Sequence, residues 1–221
     1  MNLKIFLLTA SFILATIAHA QRVGVRGGVS FGTQRQSFYD NEGIKRNSIT
    51  QFHAGLTTEL KLSDRVALQP ALLFVRKGVH ASWSGYTSLG LSSWTFTDRL
   101  SYLTLPVPLA LKLKAGPGKA VVGAGPYVGL LLAGTRTNTG FRRYIGFADT
   151  QKFSLGNGGV GKDFYKAFDA GACFQAGYEL ADRFFLVASY EIGLTNVQAY
   201  NTDGEYRRNR SLNLGTGMYF N

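Results

Sequence analysis

The sequence SYLTLPVPLALKLK, residues 101–114, decides the fold because apolar and polar side chains alternate along it. A period of two is typical of a β-strand with two unlike faces. The stretch also exceeds the roughly 9–11 residues that a tilted β-strand needs to cross a bilayer. It therefore predicts a membrane-crossing strand with its apolar face toward lipid. That face carries Leu103, Leu105, Val107, Leu109, Leu111 and Leu113, and the other carries Tyr102, Thr104, Lys112 and Lys114.

The same alternation recurs in seven further segments, each longer than the five or six residues of an ordinary globular strand. Together with residues 101–114 they predict eight strands. Four prolines inside these segments (Pro70, Pro106, Pro108 and Pro126) remove ladder donors and predict bulges or strand-end irregularities. The seven segments are Arg22–Gly32, Ile49–Leu62, Val66–Gly78, Ala120–Ala133, Lys166–Leu180, Phe184–Leu194 and Arg210–Asn221.

The connections between these segments alternate between long and short. Outer-membrane barrels have this asymmetry, with tight periplasmic turns and longer outer loops. A sheet in lipid must also close, since an open edge would leave backbone groups unpaired. The chain is therefore expected to be all-β, a membrane-embedded antiparallel up-and-down β-barrel of eight strands. The long connections are residues 34–48, 79–100, 134–165 and 195–209; the short ones are 63–65, 115–119 and 181–183.

The first twenty residues have the pattern of a signal peptide. Lys4 precedes an apolar run, Ile5–Ile17, that is too short to span a bilayer, and Ala18-His19-Ala20 resembles a cleavage site. We expect residues 1–20 to be a signal peptide and residues 21–221 to be the outer-membrane barrel domain. A buried N-terminal helix is the alternative.

Charge and cysteine content limit the partners. Removal of residues 1–20 removes Lys4 and no acid, so the formal net charge falls from +11 to +10. For an exported chain, anionic lipid head groups or polysaccharide are better counterparts than nucleic acid. We expect outer-membrane lipid and lipopolysaccharide as partners, with other envelope proteins as a further class and no nucleic acid. The single cysteine, Cys173, excludes an internal disulfide.

Charged residues also fall on the face opposite lipid. The lumen of an eight-stranded barrel is barely wide enough for side chains, so mixed charges there predict a salt-bridged plug. Arg26 and Glu59 are expected to pair. A narrow channel is the alternative. A lumen charge network is predicted to contain Arg26, Glu59, Lys112, Glu179 and Glu191, and the other predicted inward charges are Lys61, Lys77, Lys114 and Asp169.

The long connections hold the candidate interaction residues. Aromatic rings together with arginine suit contact with sugars, lipopolysaccharide phosphate or a protein. The alternative is that these side chains only pack the loops against the barrel rim. The candidates are Trp83, Tyr86 and Trp94 in residues 79–100, and Arg142, Arg143 and Tyr144 in residues 134–165.

Nothing in the sequence predicts catalytic, cofactor-binding or metal-binding residues. A set of His80, Ser82 or Ser84, and Asp98 can be drawn, but proximity in sequence is not geometry. We therefore expect a non-enzymatic protein with a structural or interaction role. The alternatives are a lipid-modifying barrel enzyme, a narrow channel or accessory component of a secretion apparatus, and a soluble barrel whose apolar face points inward.

Several stretches resemble PorT-like outer-membrane β-barrel proteins of Gram-negative bacteria. The opening strand of that family is similar to VRGGVSF, residues 25–31, and the resemblance continues in order over most of the mature chain. It implies a signal peptide, a small barrel, outer-membrane location and no catalytic residues. The prolines belong to the resembling stretches, which are LQPAL (68–72), YLTLPVP (102–108), GPYVG (125–129) and YEIGLTN (190–196).

Overall fold

A computed structural model describes residues 22–36, 44–87, 90–142, 145–155, 165–199 and 206–220. The predicted signal peptide lies outside these residues. No helix in the described part of the chain is long and apolar enough to cross a membrane. The strands are β1 Arg22–Gln36, β2 Lys45–Lys61, β3 Val66–Leu68, β4 Ala71–Thr87, β5 Gly90–Pro106, β6 Leu109–Ala115, β7 Gly118–Arg142, β8 Ile145–Ser154, β9 Phe168–Leu180, β10 Phe184–Gly193 and β11 Arg207–Phe220.

Antiparallel pairing closes these strands into a ring. β1 pairs with β2 on one side and with β11 on the other, so the first and last strands seal the barrel. β3 with β4, and β5 with β6, each form one interrupted strand. The ring then has eight positions, while β8 lies outside it and pairs with the far half of β7. The prediction of an all-β antiparallel barrel is confirmed.

Prolines lie at the two interruptions. Gln69 and Pro70 separate β3 from β4, and Val107 and Pro108 separate β5 from β6. Backbone hydrogen bonds still cross both breaks: the Gln69 amide donates to the Pro108 carbonyl at 3.0 Å, and the Val107 amide donates to the Pro126 carbonyl at 2.9 Å. Opposite the second break, a Cβ on Gly125 would lie 2.1 Å from the Val107 carbonyl oxygen, so the close approach there requires glycine.

The two faces of the barrel wall are as the alternation predicts. On β5, Tyr102 and Thr104 point into the lumen and are fully buried. Leu109 and Leu111 on β6 point outward and are about half exposed, as expected for side chains that meet lipid. The interior is not uniformly polar, because Leu73 and Val75 of β4 also face inward and are fully buried.

The predicted long loops are partly wrong. Residues 79–87 and 90–98 form a continuous hairpin of β4 and β5, and residues 134–142 and 145–154 pair as β7 and β8. These residues lie beyond the apolar belt, the band of outward apolar side chains that meets lipid. Both faces of the strands carry polar residues there, so the alternation typical of a strand in lipid is lost. Residues 156–164 of the predicted loop 134–165 lie outside the described residues. We call residues 45–48, 79–87, 90–98, 134–142 and 145–154 the hairpin sheet, its end of the barrel the hairpin end, and the opposite end the turn end.

Candidate functional site

A four-charge ring closes the lumen at the turn end. Arg22 donates to Glu59 at 2.6 Å and to Glu179 at 2.7 Å. Lys112 lies 3.0 Å from Glu59 and 2.6 Å from Glu179. Each buried carboxylate is therefore held between two cations. Gln69 also donates to Glu59, at 2.8 Å.

A second buried group lies in the middle of the lumen around Lys77. Its ammonium lies 2.6 Å from Glu191 and 3.9 Å from Asp169, and all three side chains are almost fully buried. Tyr127 and Asn209 donate to Asp169 at 3.1 Å and 2.9 Å. Lys77 is thus the cation that balances the two carboxylates.

The predicted pairing of Arg26 with Glu59 is wrong, although both side chains are buried in the lumen. The β1–β2 register places Arg22 opposite Glu59 and Arg26 opposite Gly55. The guanidinium of Arg26 donates instead to the Ser189 hydroxyl at 2.8 Å. The prediction matched the two residues by counting positions from the ends of neighbouring strands. Strands in a closed barrel are staggered, and the stagger changes which residues lie opposite each other.

Two lysines predicted to face inward are exposed at the turn end. Lys61 pairs with Asp64 at 3.0 Å across the first turn, and Lys114 is exposed at the end of β6. Both lie at strand ends, where a long lysine side chain can reach water whichever face of the strand it starts from. Nearby, the hydrogen bond from Lys119 holds the pKa of the Asp182 carboxyl below its usual value.

The hairpin end of the lumen is closed by a group that the sequence did not reveal. Asp98, fully buried, accepts two hydrogen bonds from Arg136 at 2.7 Å and one from Tyr165 at 2.5 Å. Arg207 donates to the Tyr165 hydroxyl at 3.0 Å. Asp98 is an even number of residues from the inward Tyr102, which would place both side chains on the lumen face of one strand. This signal was missed because Asp98 was assigned to a loop. Apolar residues pack around this group: Leu100, Tyr102, Leu131, Phe153, Tyr165 and Val197.

The hairpin sheet presents an aromatic face above this plug. Trp83 and Trp94 are directly opposed on β4 and β5, and Trp94 stacks on Phe96 with ring centroids 5.7 Å apart. Gly140 lies opposite Trp94 on the next strand, with Phe147 opposite Gly140 on β8. Phe147 is half exposed, so the aromatic face is open to solvent at that edge.

The predicted interaction residues have different places in the structure. Trp83 and Trp94 share the aromatic face, whereas Tyr86 lies on the opposite face of β4 and is 86% exposed. Arg142 ends β7 and its side chain is not described. Arg143 and Tyr144 lie outside the described residues.

The catalytic set considered from the sequence is not assembled. His80 shares a hydrogen bond with Thr97 on one face of the hairpin, at 2.8 Å. Asp98 points to the other face and is bound to Arg136. Within the described ranges, no group of three His, Cys, Asp or Glu side chains could hold a metal ion.

Comparison with known proteins places this geometry in a family. The model of a family described as "outer membrane protein beta-barrel domain" matches residues 16–199. No curated protein matches the chain.

Several solved structures are similar to this chain at low sequence identity. Ail, the attachment invasion locus protein of Yersinia pestis, solved with the heparin analogue sucrose octasulfate, is 13% identical; the match covers 90% of this chain and 98% of that one, with a TM-score of 0.37. OprG of Pseudomonas aeruginosa is 13% identical, over 91% of this chain and 97% of that one, with a TM-score of 0.41. Neisserial surface protein A is also 13% identical, over 90% and 97%, with a TM-score of 0.33.

Proposed function

The chain belongs to the outer membrane protein beta-barrel domain family, and from that premise we propose that it is a non-enzymatic surface protein whose hairpin sheet binds another component of the cell envelope. In this proposal residues 1–20 are a signal peptide that is removed on export, and the hairpin end faces outside the cell. The PorT-like resemblance of the strand motifs supports this assignment within the broader family.

The observation that carries the proposal is the aromatic face of the hairpin sheet. It continues the barrel wall past the plug formed by Asp98 and Arg136, so it is not needed to seal the lumen. Trp83 and Trp94 are only partly buried, and Ile145 at the edge strand β8 is 72% exposed. Clustered tryptophans on a rigid, partly desolvated surface are typical centres of binding energy.

The filled lumen and the direction of the faces weigh against the other roles. The charge groups around Glu59, Lys77 and Asp98 occupy the lumen at three levels, which opposes conduction. An apolar exterior around a polar interior is the reverse of a soluble ligand carrier. The separation of His80 from Asp98 removes the support for a lipid-modifying enzyme. We propose that the partner is an envelope protein, and an accessory place in a secretion apparatus is one form of this role.

Site-specific photocrosslinking tests the proposal. A photoreactive phenylalanine analogue at Trp94 should form an adduct with one envelope protein in native membranes. The matched control is Thr95, the next residue of β5, which points to the opposite face of the same sheet. Adducts of equal yield from both positions, or none from Trp94, would contradict an interaction role of the aromatic face.

Once that partner is purified, the contribution of Trp94 to the binding free energy can be measured. Trp94→Ala should weaken binding by about 2 kcal/mol, roughly 30-fold, as expected for a central aromatic contact. Thr95→Ala should leave the affinity within about twofold of the parent. Retained affinity in Trp94→Ala would place the binding surface elsewhere.

A further inference from the structure

The outside of the barrel wall, on the face away from the lumen, carries a basic pocket that the proposed aromatic surface does not use. It crosses β4, β5, β7 and β8 and has a volume of about 450 Å³, within the usual range for a ligand site. Three cations line it, Arg76, Arg99 and Lys152. Ser101, Thr135 and Ser154 also line it.

Strand register brings these residues to one place although they are distant in sequence. Arg76 lies opposite Ser101, and Arg99 lies opposite Thr135, which in turn lies opposite Lys152. Arg99 and Lys152 are therefore two strand spacings apart, roughly 10 Å, and their long side chains can reach one ligand between them.

Small residues and a bulge make the concavity. The β5–β7 register shifts between Ser101 and Tyr102, where Ala133 and Leu131 are their partners and Leu132 is skipped. Ser101 and its partner Ala133 are both small, so they fill little of the space on the outward face. A bulge of this kind re-aims side chains and is often found beside binding sites.

The charge of the pocket is not balanced by the protein. Among the described residues, Arg76, Arg99 and Lys152 are in no ion pair, and no carboxylate lines the pocket. The Nε atom of Arg76 is buried without a hydrogen-bond partner. Asp98, the neighbour of Arg99 in sequence, points to the lumen and accepts a hydrogen bond from Arg136. An anionic ligand would supply the missing acceptor.

The pocket lies beside a pair of aromatic rings on the lipid-facing surface. Phe52 and Phe74 pack against each other on that surface, with ring centroids 5.9 Å apart, and the Arg76 guanidinium lies 5.9 Å from the Phe52 ring. Aromatic rings mark the membrane–water interface of outer-membrane barrels. The three cations are therefore at the height of lipid head groups rather than out in solvent.

We propose that this basic pocket binds the phosphate of a phosphorylated lipopolysaccharide in the outer leaflet. Two arginines can each offer paired N–H donors to phosphate oxygens, the lysine adds a point charge, and the hydroxyls donate further hydrogen bonds. The acyl chains then lie against the outward leucines and phenylalanines below. The inference rests on the proposed function in one respect only, that the hairpin end faces the outer leaflet.

The test is binding of lipopolysaccharide to the purified full-length barrel in detergent micelles. The parent protein should bind the phosphorylated form at least tenfold more tightly than the same lipid after enzymatic dephosphorylation. Arg99→Gln with Lys152→Gln should lose that preference. Both residues are exposed or at the edge strand, so the barrel is expected to stay folded, and Lys152→Gln alone should lose part of the preference.

A matched double variant removes two exposed cations at the other end of the barrel. Arg65→Gln with Lys114→Gln should bind as the parent does, because neither residue is near the pocket. Equal binding of both lipid forms, or an unchanged preference in the Arg99 and Lys152 variant, would overturn the proposal. Complete competition by millimolar inorganic phosphate would also overturn it, since the ligand would then be free phosphate.

This measurement is separable from the test of the aromatic face. Trp94→Ala should bind phosphorylated lipopolysaccharide as the parent does, because Trp94 lies on the other side of the sheet. A failed crosslink at Trp94 with intact lipid binding would refute the protein-binding role alone. Binding in detergent also does not depend on which way the barrel is inserted, so a reversed topology would remove the proposed leaflet and leave the pocket chemistry intact.

Discussion

Replacing Lys77 with methionine should lower the free energy of unfolding of the barrel by about 3–5 kcal/mol. The Lys77 side chain is 2% exposed, and its ammonium is the ion-pair partner of Glu191 and Asp169. Methionine fills a similar volume, so the change removes charge more than packing. Glu191 and Asp169 would then lose their ion-pair partner, and removing one partner of a buried pair leaves an uncompensated charge. Urea unfolding in phospholipid vesicles, followed by tryptophan fluorescence, measures the loss.

Two companion variants separate the charge effect from other causes. Lys77→Met combined with Glu191→Met should recover part of the lost stability, because the close pair is then removed together while Asp169 still lacks its ion-pair partner. Lys61→Met should cost less than about 1 kcal/mol, since the Lys61–Asp64 pair is exposed. Stability of Lys77→Met equal to that of the parent would show that the lumen is hydrated rather than a packed charge network.

Val107→Arg should destabilise the inserted barrel by roughly 2–4 kcal/mol, the cost of arginine on the lipid face near the middle of the bilayer. Val107 has the outward parity of Leu105 and Leu109 and lies at the break between β5 and β6. Its β-branched side chain meets lipid, where a guanidinium has no acceptor. The measurement is again unfolding from vesicles.

The control for this substitution is Leu91→Arg. Leu91 is 50% exposed at the start of β5 in the hairpin sheet, beyond the apolar belt. Arginine there remains in water and should change stability by less than about 0.5 kcal/mol. Equal costs at the two positions would contradict the assignment of the lipid-facing surface.

The parity of the strands was predictable from sequence because lipid on one side and a packed lumen on the other impose opposite demands on neighbouring residues. Residues 101–114 show this most clearly. The hairpin sheet was not predictable in the same way, since water meets both of its faces. The difference in polarity between Trp83 and Ser84 therefore does not indicate which of them faces the lumen side. Its strands were consequently assigned to loops.

The alternation of apolar and polar residues also could not predict the register, that is, which residues of neighbouring strands lie opposite each other. Each strand's sequence says which face a side chain takes and not its height relative to a neighbour, so Arg26 was matched to Glu59 although Arg22 lies opposite it. The same gap concealed the pairing of Asp98 with Arg136, which joins two segments assigned to different loops. The basic pocket around Arg99 depends on register across four strands, and it too had no signal in the linear sequence.

The central claim is that the barrel spans the outer membrane with the hairpin sheet outside the cell, and cysteine labelling of intact cells tests it most directly. The background is Cys173→Ser, which removes the chain's single thiol, itself buried in the lumen. Tyr86→Cys places a thiol on the hairpin sheet, where the side chain is 86% exposed, and Asp64→Cys places one in a short turn, where it is 96% exposed. A membrane-impermeant thiol reagent should label Tyr86→Cys in intact cells and Asp64→Cys only after the outer membrane is permeabilised. Labelling of Asp64→Cys in intact cells, with Tyr86→Cys protected, would contradict the topology and move the aromatic face and the basic pocket to the periplasmic side.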